Sequence, residues 1–528
     1  MFGSTGGTSA GSTSATRLRS IVALMIALAL VAAACSDDGR SGPGAEGGTG
    51  FFNQGSTPAE APSGDPDGTG TSGAIAWERS GSVDRGVLAV PLDHADPDGE
   101  TIEIALMRRP AADPDRRIGV LLVNPGGPGA SGIEFAEQAR FVFPPEVLER
   151  FDLIGFDPRG VGSSTPVICG DGDLLDRYNA ADPAPPTPAA QAQVEAVVRE
   201  LAEACEQDSG RLLPFITTEA SARDMDLIRD ALGEDTINYV GFSYGTYLGA
   251  TYAELFPDRI RAFVLDAGYS RSLSSAEILE GQAVGFERSI ETFLEWCRPE
   301  RCQLAAGGDP SAALDEVLED IRSSPLPTDD SDGRELTVGL AWTAIIMAMY
   351  APGLWSQLDR GLDQARTRAD GSVLLTLADV YNDRAPGAVY GNLAYAFTAY
   401  SCMDREPVDA DDERATVDRV LEAAPRVGPV FTSVPSACEW WPVESQGRVA
   451  PFSAPDAPPM IVIATTGDPA TPYEWGVRLA DELSSARLLT VEGDAHTAFG
   501  SGIGCVDDAV LAYLFELTMP ADGVRCSS

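Results

Sequence analysis

One pentapeptide in the chain, Gly241-Phe242-Ser243-Tyr244-Gly245, has residue types suited to nucleophilic catalysis. An apolar run precedes it and apolar residues at helical spacing follow it, so the pattern predicts a strand, a sharp turn and a helix. The flanking glycines permit the tight turn, which exposes the serine hydroxyl at the end of the strand. The first N–H groups of the helix then point at a developing oxyanion. We therefore predict that Ser243 is a nucleophile rather than a residue of an ordinary turn.

A serine nucleophile needs a base, and the base needs a group that orients it. The chain has only two histidines, and His496 follows the last predicted strand in a loop that contains glycine. Asp468 follows the preceding predicted strand in the same way. We predict that Asp468 and His496 complete a triad with Ser243. Asp494 is a rival acid, but it lies so close to His496 in sequence that it would reach the far ring nitrogen poorly.

The second histidine, His94, lies in the turn-rich segment Asp93-His94-Ala95-Asp96-Pro97-Asp98-Gly99. We interpret His94 as a surface turn residue rather than a catalyst. Its neighbouring aspartates could hold calcium, but a solvated acidic turn is the interpretation we favour. The scarcity of histidine and the lack of a C-x₂-C pair exclude zinc sites built from several histidines or from paired cysteines. We expect neither a metal nor a cofactor.

The composition excludes several other classes of protein. The net charge is −43, and all 37 basic residues are arginine. The absence of lysine excludes Ser–Lys dyads, Schiff-base chemistry and the lysine of a phosphate-binding loop. The acidity argues against nucleic acid and anionic lipid as partners. The 528 residues, 44% of them hydrophobic, suffice for one large domain with an insertion or for two domains.

The first 34 residues have the pattern of a secretory signal peptide. Arg17 and Arg19 precede an apolar run from Ile21 to Ala34, which is shorter than the roughly 20 residues that span a bilayer. Small residues before Cys35 resemble a bacterial lipobox, so cleavage would leave Cys35 for lipidation. The product would be a lipoprotein on the outer face of the cytoplasmic membrane. Plain secretion stays open, because Ala32 stands where leucine or valine is usual.

Residues 35–72 consist largely of Gly, Ser, Thr, Pro and Asp, with very few apolar side chains. This composition predicts a disordered tether without a core of its own. The tether would hold a globular body clear of the membrane, so any membrane contact would be limited to a lipid at Cys35.

Nine cysteines are present, and with Cys35 set aside an even number remains. In an exported chain that number suits four disulfides rather than reduced thiols. Sequence proximity guides the pairing to Cys169–Cys205, Cys297–Cys302, Cys402–Cys438 and Cys505–Cys526.

From residue 73 onward the pattern is globular, and predicted strands alternate with helices. Near-continuous apolar runs predict parallel strands that are buried on both faces. These runs occupy 118–123, 151–156, 237–240, 260–265, 460–465 and 486–491. We assign residues 73–268 and 456–528 to one α/β core with a mostly parallel sheet. Residues 269–455 show helical periodicity and are predicted to form an inserted helical cap.

The strand at 118–123 runs into Asn124-Pro125-Gly126-Gly127-Pro128-Gly129. Paired glycines suit an oxyanion loop because they let main-chain N–H groups face a carbonyl oxygen. A second glycine-rich loop, Asp157–Ser164, lacks the lysine and the spacing of a phosphate-binding loop, so we do not interpret it as one.

Four motifs together resemble the secreted actinobacterial tripeptidyl aminopeptidases, in the prolyl-aminopeptidase-like branch of α/β-hydrolase serine peptidases. They are Asn124-Pro125-Gly126-Gly127-Pro128-Gly129, Asp157-Pro158-Arg159-Gly160-Val161-Gly162-Ser163, Gly241-Phe242-Ser243-Tyr244-Gly245 and Asp468-Pro469-Ala470-Thr471-Pro472. The resemblance covers the chain from about Ala74 to the C terminus. It implies an α/β-hydrolase fold with the catalytic residues Ser243, Asp468 and His496. It also implies that the main-chain N–H groups of Gly127 and Tyr244 are the oxyanion donors.

The resemblance further implies an exported aminopeptidase that releases amino-terminal tripeptides through an acyl-enzyme. The cap would close over the site and capture the substrate amino terminus, a charge that needs a strong partner once it leaves water. Asp404 and Glu439 are candidate counter-charges, and each is equally well interpreted as a surface acid. The tryptophans of the insertion could line a cleft or pack in its core; they are Trp296, Trp342, Trp355, Trp440 and Trp441.

Two alternatives stay open. An esterase or amidase acting on small apolar or cell-surface esters would use the same triad, because the fold alone does not select the substrate. A lipid-anchored binding or maturation protein could keep a hydrolase fold, but the intact triad argues against it. The sequence does not determine the residue preference, the physiological substrate or the oligomeric state.

Overall fold

The computed structural model describes residues 74–407 and 410–528. The predicted signal peptide (residues 1–34), the tether (35–72) and Cys35 lie outside the described residues. Within the described ranges, no helix is both long enough and apolar enough to cross a membrane.

A ten-stranded sheet lies at the centre of the described part of the chain. Its strands are β1 (Glu78–Ser80), β2 (Val83–Pro91), β3 (Thr101–Arg109), β4 (Gly119–Asn124), β5 (Phe151–Phe156), β6 (Ile237–Phe242), β7 (Ile260–Asp266), β10 (Ile461–Thr465), β11 (Arg487–Glu492) and β12 (Arg525–Ser527). Between β7 and β10 in the chain, β8 (Arg384–Ala385) and β9 (Val389–Tyr390) form a separate two-stranded hairpin. The order across the sheet is β1-β2-β3-β5-β4-β6-β7-β10-β11-β12. Neighbours are antiparallel from β1 to β5 and parallel from β5 to β12. The predicted α/β class with a mostly parallel sheet is confirmed.

The central strands are mostly apolar because both faces of the sheet are covered. Val120 and Leu122 of β4 join one buried apolar cluster, while Leu121 and Val123 join another. This division follows from the alternation of side chains along a strand. Helices that precede the insertion are α1 (Gly132–Glu137), α2 (Ala139–Val142), α3 (Pro145–Arg150), α4 (Gly172–Ala180), α5 (Pro188–Ser209), α6 (Thr218–Ala231) and α7 (Tyr244–Leu255).

Between β7 and β10 the chain is mainly helical. The helices are α8 (Ser275–Trp296), α9 (Pro310–Ser323), α10 (Val338–Met349), α11 (Trp355–Arg368), α12 (Ser372–Tyr381), α13 (Leu393–Asp404), α14 (Ala410–Ala423) and α15 (Gly428–Thr432). Helix α8 starts with a capping box, in which Ser274 and Glu277 each accept the N–H of the other. Helices α8 to α12 share an apolar cluster of their own. Helix α13 differs, because its Ala396 and Tyr400 lie in the apolar cluster of the core.

The last part of the chain returns to the sheet. It adds α16 (Tyr473–Glu482) after β10 and α17 (Gly504–Glu516) after β11. Four disulfides are present among the described residues: Cys169–Cys205, Cys297–Cys302, Cys402–Cys438 and Cys505–Cys526. The pairing predicted from sequence proximity is confirmed.

Candidate active site

Ser243 occupies the turn between β6 and α7, with φ 55° and ψ −124°. Residues with a side chain rarely adopt this region, so the surrounding structure must hold the turn in place. The Ser243 N–H donates to the main-chain oxygen of Asp266 at 2.8 Å. The main-chain oxygen of Ser243 accepts from the N–H and the hydroxyl of Thr246 at 2.8 and 2.7 Å. The sharp turn predicted between a strand and a helix is therefore present.

Close packing explains the glycines around Ser243. A Cβ built on Gly241 would lie 2.3 Å from the main-chain oxygen of Gly245. A Cβ built on Gly245 would lie 2.8 Å from the main-chain oxygen of Asn124. Both distances are far shorter than a van der Waals contact, so neither position has room for a side chain.

The glycine-rich loop after β4 presses against the same turn. Gly126 and Gly127 have φ values of 97° and 107°, which favour glycine. A Cβ built on Gly126 would lie 3.0 Å from the Ser243 Cβ and 3.2 Å from the Tyr244 nitrogen. The structure thus brings the loop that carries one predicted oxyanion donor, Gly127, against the other predicted donor, Tyr244.

Asp468 and His496 form a buried hydrogen-bonded pair. His496 Nδ1 lies 2.9 and 2.8 Å from the two carboxylate oxygens of Asp468. Oδ1 of Asp468 accepts the N–H groups of Ala470 and Thr471 at 2.9 and 3.0 Å, and Oδ2 accepts the Thr471 hydroxyl at 2.9 Å. The Asp468 side chain has no solvent exposure. Its charge is therefore held by four donors and lies at a fixed position beside the imidazole.

This arrangement determines the protonation of His496. Burial lowers the pKa of His496, but the charge and hydrogen bond of Asp468 outweigh it, so the pKa lies above the ordinary value of 6.5. Because the Asp468 carboxylate faces Nδ1, the neutral ring is assigned with its proton on Nδ1. Nε2 is then unprotonated and can accept a proton from a nucleophile.

Two of the three predicted triad residues are in direct contact, and the third lies on the adjoining turn. The Ser243 hydroxyl forms no hydrogen bond to His496 in the described part of the chain. Catalytic hydrogen bonds are often long in the absence of substrate and shorten when it binds. The rival acid, Asp494, lies against Gly467, where a Cβ would be 2.4 Å from its Oδ1. Asp468 is the carboxylate that bonds the imidazole.

Asp266, to which no pattern in the sequence assigns a role, links the two halves of the site. Its main-chain oxygen accepts the Ser243 N–H, and its Oδ2 accepts the N–H groups of Ala498 and Phe499 at 2.9 and 2.7 Å. Burial raises the pKa of Asp266 to about 6, against the effect of these N–H groups. In the sequence, the position of Asp266 at the end of a predicted strand is the feature that could have suggested a role at the site. Asp266 thus fixes the Ser243 turn and the His496 loop relative to each other.

The chain is similar in sequence to known hydrolases and peptidases. A family profile described as "TAP-like protein" matches residues 424–526, and one described as "alpha/beta hydrolase fold" matches residues 119–307. The chain is 38% identical over 456 residues to "Serine protease Hip1" of Mycobacterium tuberculosis, covering 84% of this chain and 86% of that relative. It is 39% identical over 451 residues to "Carboxylesterase B" of the same species, covering 83% and 85%. It is 30% identical over 472 residues to "Tripeptidyl aminopeptidase" of Streptomyces lividans, covering 86% and 85%.

The chain belongs to the TAP-like family of α/β-hydrolase-fold enzymes. The predicted resemblance and the predicted class, a serine hydrolase of the peptidase branch, are confirmed.

In this TAP-like enzyme the insertion contacts the loops around the site. The His496 N–H donates to the main-chain oxygen of Tyr350 at 2.9 Å, and the two rings meet edge to face at 5.2 Å. Gln282 of α8 donates to the main-chain oxygen of Ala470 at 3.0 Å. A Cβ built on Gly129 would lie 2.8 Å from the main-chain oxygen of Leu393, at the start of α13. The insertion therefore covers the carboxyl ends of the strands.

His94 lies in a turn, as the sequence indicated, but it is half-buried and bonded to other side chains rather than lying free on the surface. Its Nε2 lies 2.9 Å from Oδ1 of Asp224 and 3.0 Å from the guanidinium of Arg159. Arg159 and Asp224 form a fully buried ion pair, with 0% and 1% of their side chains exposed. His94 contacts both members of this ion pair and lines a cavity of about 550 Å³. The prediction that it lies outside the triad agrees with these contacts.

The candidate counter-charges occupy different environments. Glu439 is exposed, as a surface acid would be. Asp404 is half-buried at the end of α13 and accepts the hydroxyl of Thr218 at 2.6 Å. Burial raises the pKa of Asp404 to about 7, although the bonds from Thr218 act in the opposite direction. Trp342 and Trp355 pack in the apolar cluster of the insertion.

One group of described residues has donor atoms close enough together to hold a metal ion. It consists of Cys297, Cys302 and Asp359. The two cysteines are joined in a disulfide, so they are not the thiolates that a metal requires. The group is therefore unsuited to binding a metal ion.

Proposed function

We propose that the protein is an exported serine aminopeptidase that releases short amino-terminal peptides, principally tripeptides, through an acyl-enzyme. Ser243 is the nucleophile, His496 the general base and Asp468 the residue that orients it. The observation that carries this proposal is the buried Asp468–His496 hydrogen bond beside the strained Ser243 turn.

The reaction would proceed in two displacements. Nε2 of His496 takes the Ser243 proton while the oxygen attacks the scissile carbonyl. The N–H groups of Gly127 and Tyr244 stabilise the oxyanion of the tetrahedral intermediate. The imidazolium then protonates the leaving amine, and the acyl-enzyme remains. A water molecule, deprotonated by His496, hydrolyses the acyl-enzyme in the same geometry.

The cover over the site favours an exopeptidase over an endopeptidase. Residues of the insertion bond to the His496 loop and to the loop after β10, so a folded protein cannot lie across the ends of the strands. A short peptide could enter with its amino terminus first. The likeness to the tripeptidyl aminopeptidase of Streptomyces lividans supports three residues as the released length.

We also propose export and a division of the chain. Residues 1–34 are the signal peptide, Cys35 is the lipidation site and residues 35–72 are the tether. Residues 73–268 and 456–528 form the hydrolase core, and residues 269–455 form the cap. Four disulfides in the described part support an oxidising compartment, because such bonds rarely persist in the cytosol.

A second candidate function is ester hydrolysis with the same triad. The specific support is the relative named "Carboxylesterase B", which is 39% identical over 451 residues. An ester lacks the charged amine that an aminopeptidase binds, so the two candidates differ in their requirement for a free amino terminus.

The deciding experiment compares matched peptide substrates with free and acetylated amino termini, and a panel of short-chain esters. We expect release of tripeptides from the free peptides and a large loss of kcat/KM on acetylation. Ser243→Ala is the control for hydrolysis by a contaminant. Equal cleavage of acetylated peptides would indicate an endopeptidase, and activity on esters alone would indicate the second candidate.

A further inference from the structure

Helix α13 (Leu393–Asp404) lies in the insertion, yet it packs against the core on both sides of the proposed oxyanion hole. At its start, the Asn392 side chain donates to the main-chain oxygen of Gly160 at 2.6 Å. The glycine-rich loop after β4 touches the same turn, since a Cβ on Gly129 would lie 2.8 Å from the Leu393 oxygen. The first turn of α13 therefore lies against the loop that carries one proposed oxyanion donor.

The last turn of α13 lies against the residue that follows the nucleophile. The ring of Tyr400 is 5.7 Å from the ring of Tyr244. Asp404 accepts the N–H of Thr218 at 3.1 Å from each carboxylate oxygen and the Thr218 hydroxyl at 2.6 Å. The hydroxyl oxygen of Thr218 also lies 2.5 Å from the Tyr244 hydroxyl oxygen. Three side chains from three parts of the sequence thus form one continuous series of hydrogen bonds.

Which group donates in each of these hydrogen bonds follows from the protons that the hydroxyl groups of Thr218 and Tyr244 carry. The Thr218 hydroxyl has one proton, and the carboxylate of Asp404 accepts it. The Tyr244 hydroxyl must then donate to Thr218. Tyr244 is buried, so its hydroxyl has this partner in place of water.

We propose that Thr218 and Asp404 are positioning residues for the oxyanion hole, because they hold the Tyr244 side chain and through it the Tyr244 N–H. This inference rests on the role proposed above for that N–H, but not on the kind of acyl substrate. Tyr244 is the first residue of α7, and its N–H has no partner within the helix. The direction of that N–H depends on the backbone of the turn and on the anchored ring.

The series requires an acceptor at residue 404. Burial raises the pKa of Asp404 to about 7. A protonated carboxyl would donate to Thr218 and compete with Tyr244 for the same oxygen. The charged and titratable side chains that face Asp404 or line the same cavities are Asp93, His94, Arg159, Glu219, Arg223, Tyr244, Tyr247, Glu254, Tyr269, Arg271, Tyr400, Arg405, Glu406 and Arg448. Within the series of hydrogen bonds itself, burial keeps the pKa of Tyr244 well above its ordinary value and Thr218 does not ionise, so Asp404 is the member of the series that changes charge near neutral pH.

Three substitutions distinguish the effect of the hydrogen bonds from the effect of the charge on Asp404. Thr218→Val and Asp404→Ala break the series, whereas Asp404→Asn keeps an acceptor oxygen and removes the ionisation. The readouts are kcat and KM for p-nitrophenyl acetate and the inhibition constant of phenylboronic acid, whose adduct with serine mimics the tetrahedral intermediate. The ester keeps the test independent of the peptide specificity proposed above.

We expect Thr218→Val and Asp404→Ala to lower kcat about tenfold and to weaken boronate inhibition by a similar factor, with KM within about twofold, since a displaced donor costs less than a missing one. Asp404→Asn should keep kcat at alkaline pH. As the pH is lowered, the kcat of Asp404→Asn should fall with the uptake of a single proton, by His496. The kcat of the wild type should fall more steeply, because both His496 and Asp404 take up protons.

Thr251→Val is the matched control, because it removes a buried hydroxyl of α7 that donates to the main-chain oxygen of Tyr247 at 2.8 Å and lies outside the series of bonds to Tyr244. Its kcat should equal the wild-type value. Wild-type kcat and boronate affinity in Thr218→Val would overturn the proposal, as would equal losses in Asp404→Asn and Asp404→Ala. Full hydrolysis by Ser243→Ala would instead overturn the proposed function, so the two failures are distinguishable.

Discussion

The substitution Asp468→Asn tests how the proposed base is oriented. Oδ1 of Asp468 accepts the N–H groups of Ala470 and Thr471, while Oδ2 accepts the Thr471 hydroxyl. An asparagine would keep its oxygen toward the two N–H groups, because an amide NH₂ placed there would face two donors. The NH₂ would then occupy the place of Oδ2, beside Nδ1 of His496.

The expected loss follows from the tautomer. The asparagine NH₂ donates to Nδ1, so the imidazole proton moves to Nε2 and the ring can no longer accept the Ser243 proton. In serine proteases this exchange lowers kcat by about 10⁴. At 1.36 kcal/mol for each factor of ten, the loss corresponds to about 5 kcal/mol of transition-state stabilisation. The fold should persist, since asparagine has the same shape and retains the two N–H bonds.

The assay is steady-state hydrolysis of an activated ester near pH 8, with the thermal midpoint as a check on folding. Asp494→Asn is the matched control, because it makes the same chemical change in the neighbouring loop without touching the imidazole. We expect it to retain nearly full activity. If Asp468→Asn were active within about tenfold of the wild type and Asp494→Asn were not, the assignment of the acid would be wrong.

Three further outcomes are expected. Ser243→Ala and His496→Ala should each lower kcat by about a million-fold with the fold intact, whereas His94→Ala should reduce stability far more than turnover, as seen by ester hydrolysis and thermal melting. Activity should fall as the pH drops through the pKa of His496, and the midpoint should lie above 6.5 because the folded-state pKa is raised. Replacing Cys402 and Cys438 by alanine should lower the free energy of unfolding by about 2–4 kcal/mol in denaturant titrations, and an unchanged value would refute a stabilising role for that bond.

Local patterns in the sequence were enough for the class of fold and for the position of the nucleophile. The pentapeptide around Ser243 predicts its turn because the backbone requirement falls on adjacent residues. The apolar runs predict the central strands because burial on both faces removes polar positions from them, and β5 was predicted with the bounds that the structure has. Cysteine proximity sufficed for the disulfides, since each pair is separated by fewer than 40 residues in sequence.

Other parts of the site are not visible in the sequence, because they depend on contacts between distant segments. The bond between His94 and Asp224 spans 130 residues, and that between Thr218 and Asp404 spans 186. An aspartate such as Asp266 has no distinctive neighbours, and its buried contacts with the His496 loop arise from the order of strands in the sheet. The sequence thus determined which residues could do the chemistry, through short-range backbone and burial patterns. Only the tertiary structure decided which buried charges hold them in place, because the partner of a buried charge is chosen by packing and not by position in the chain.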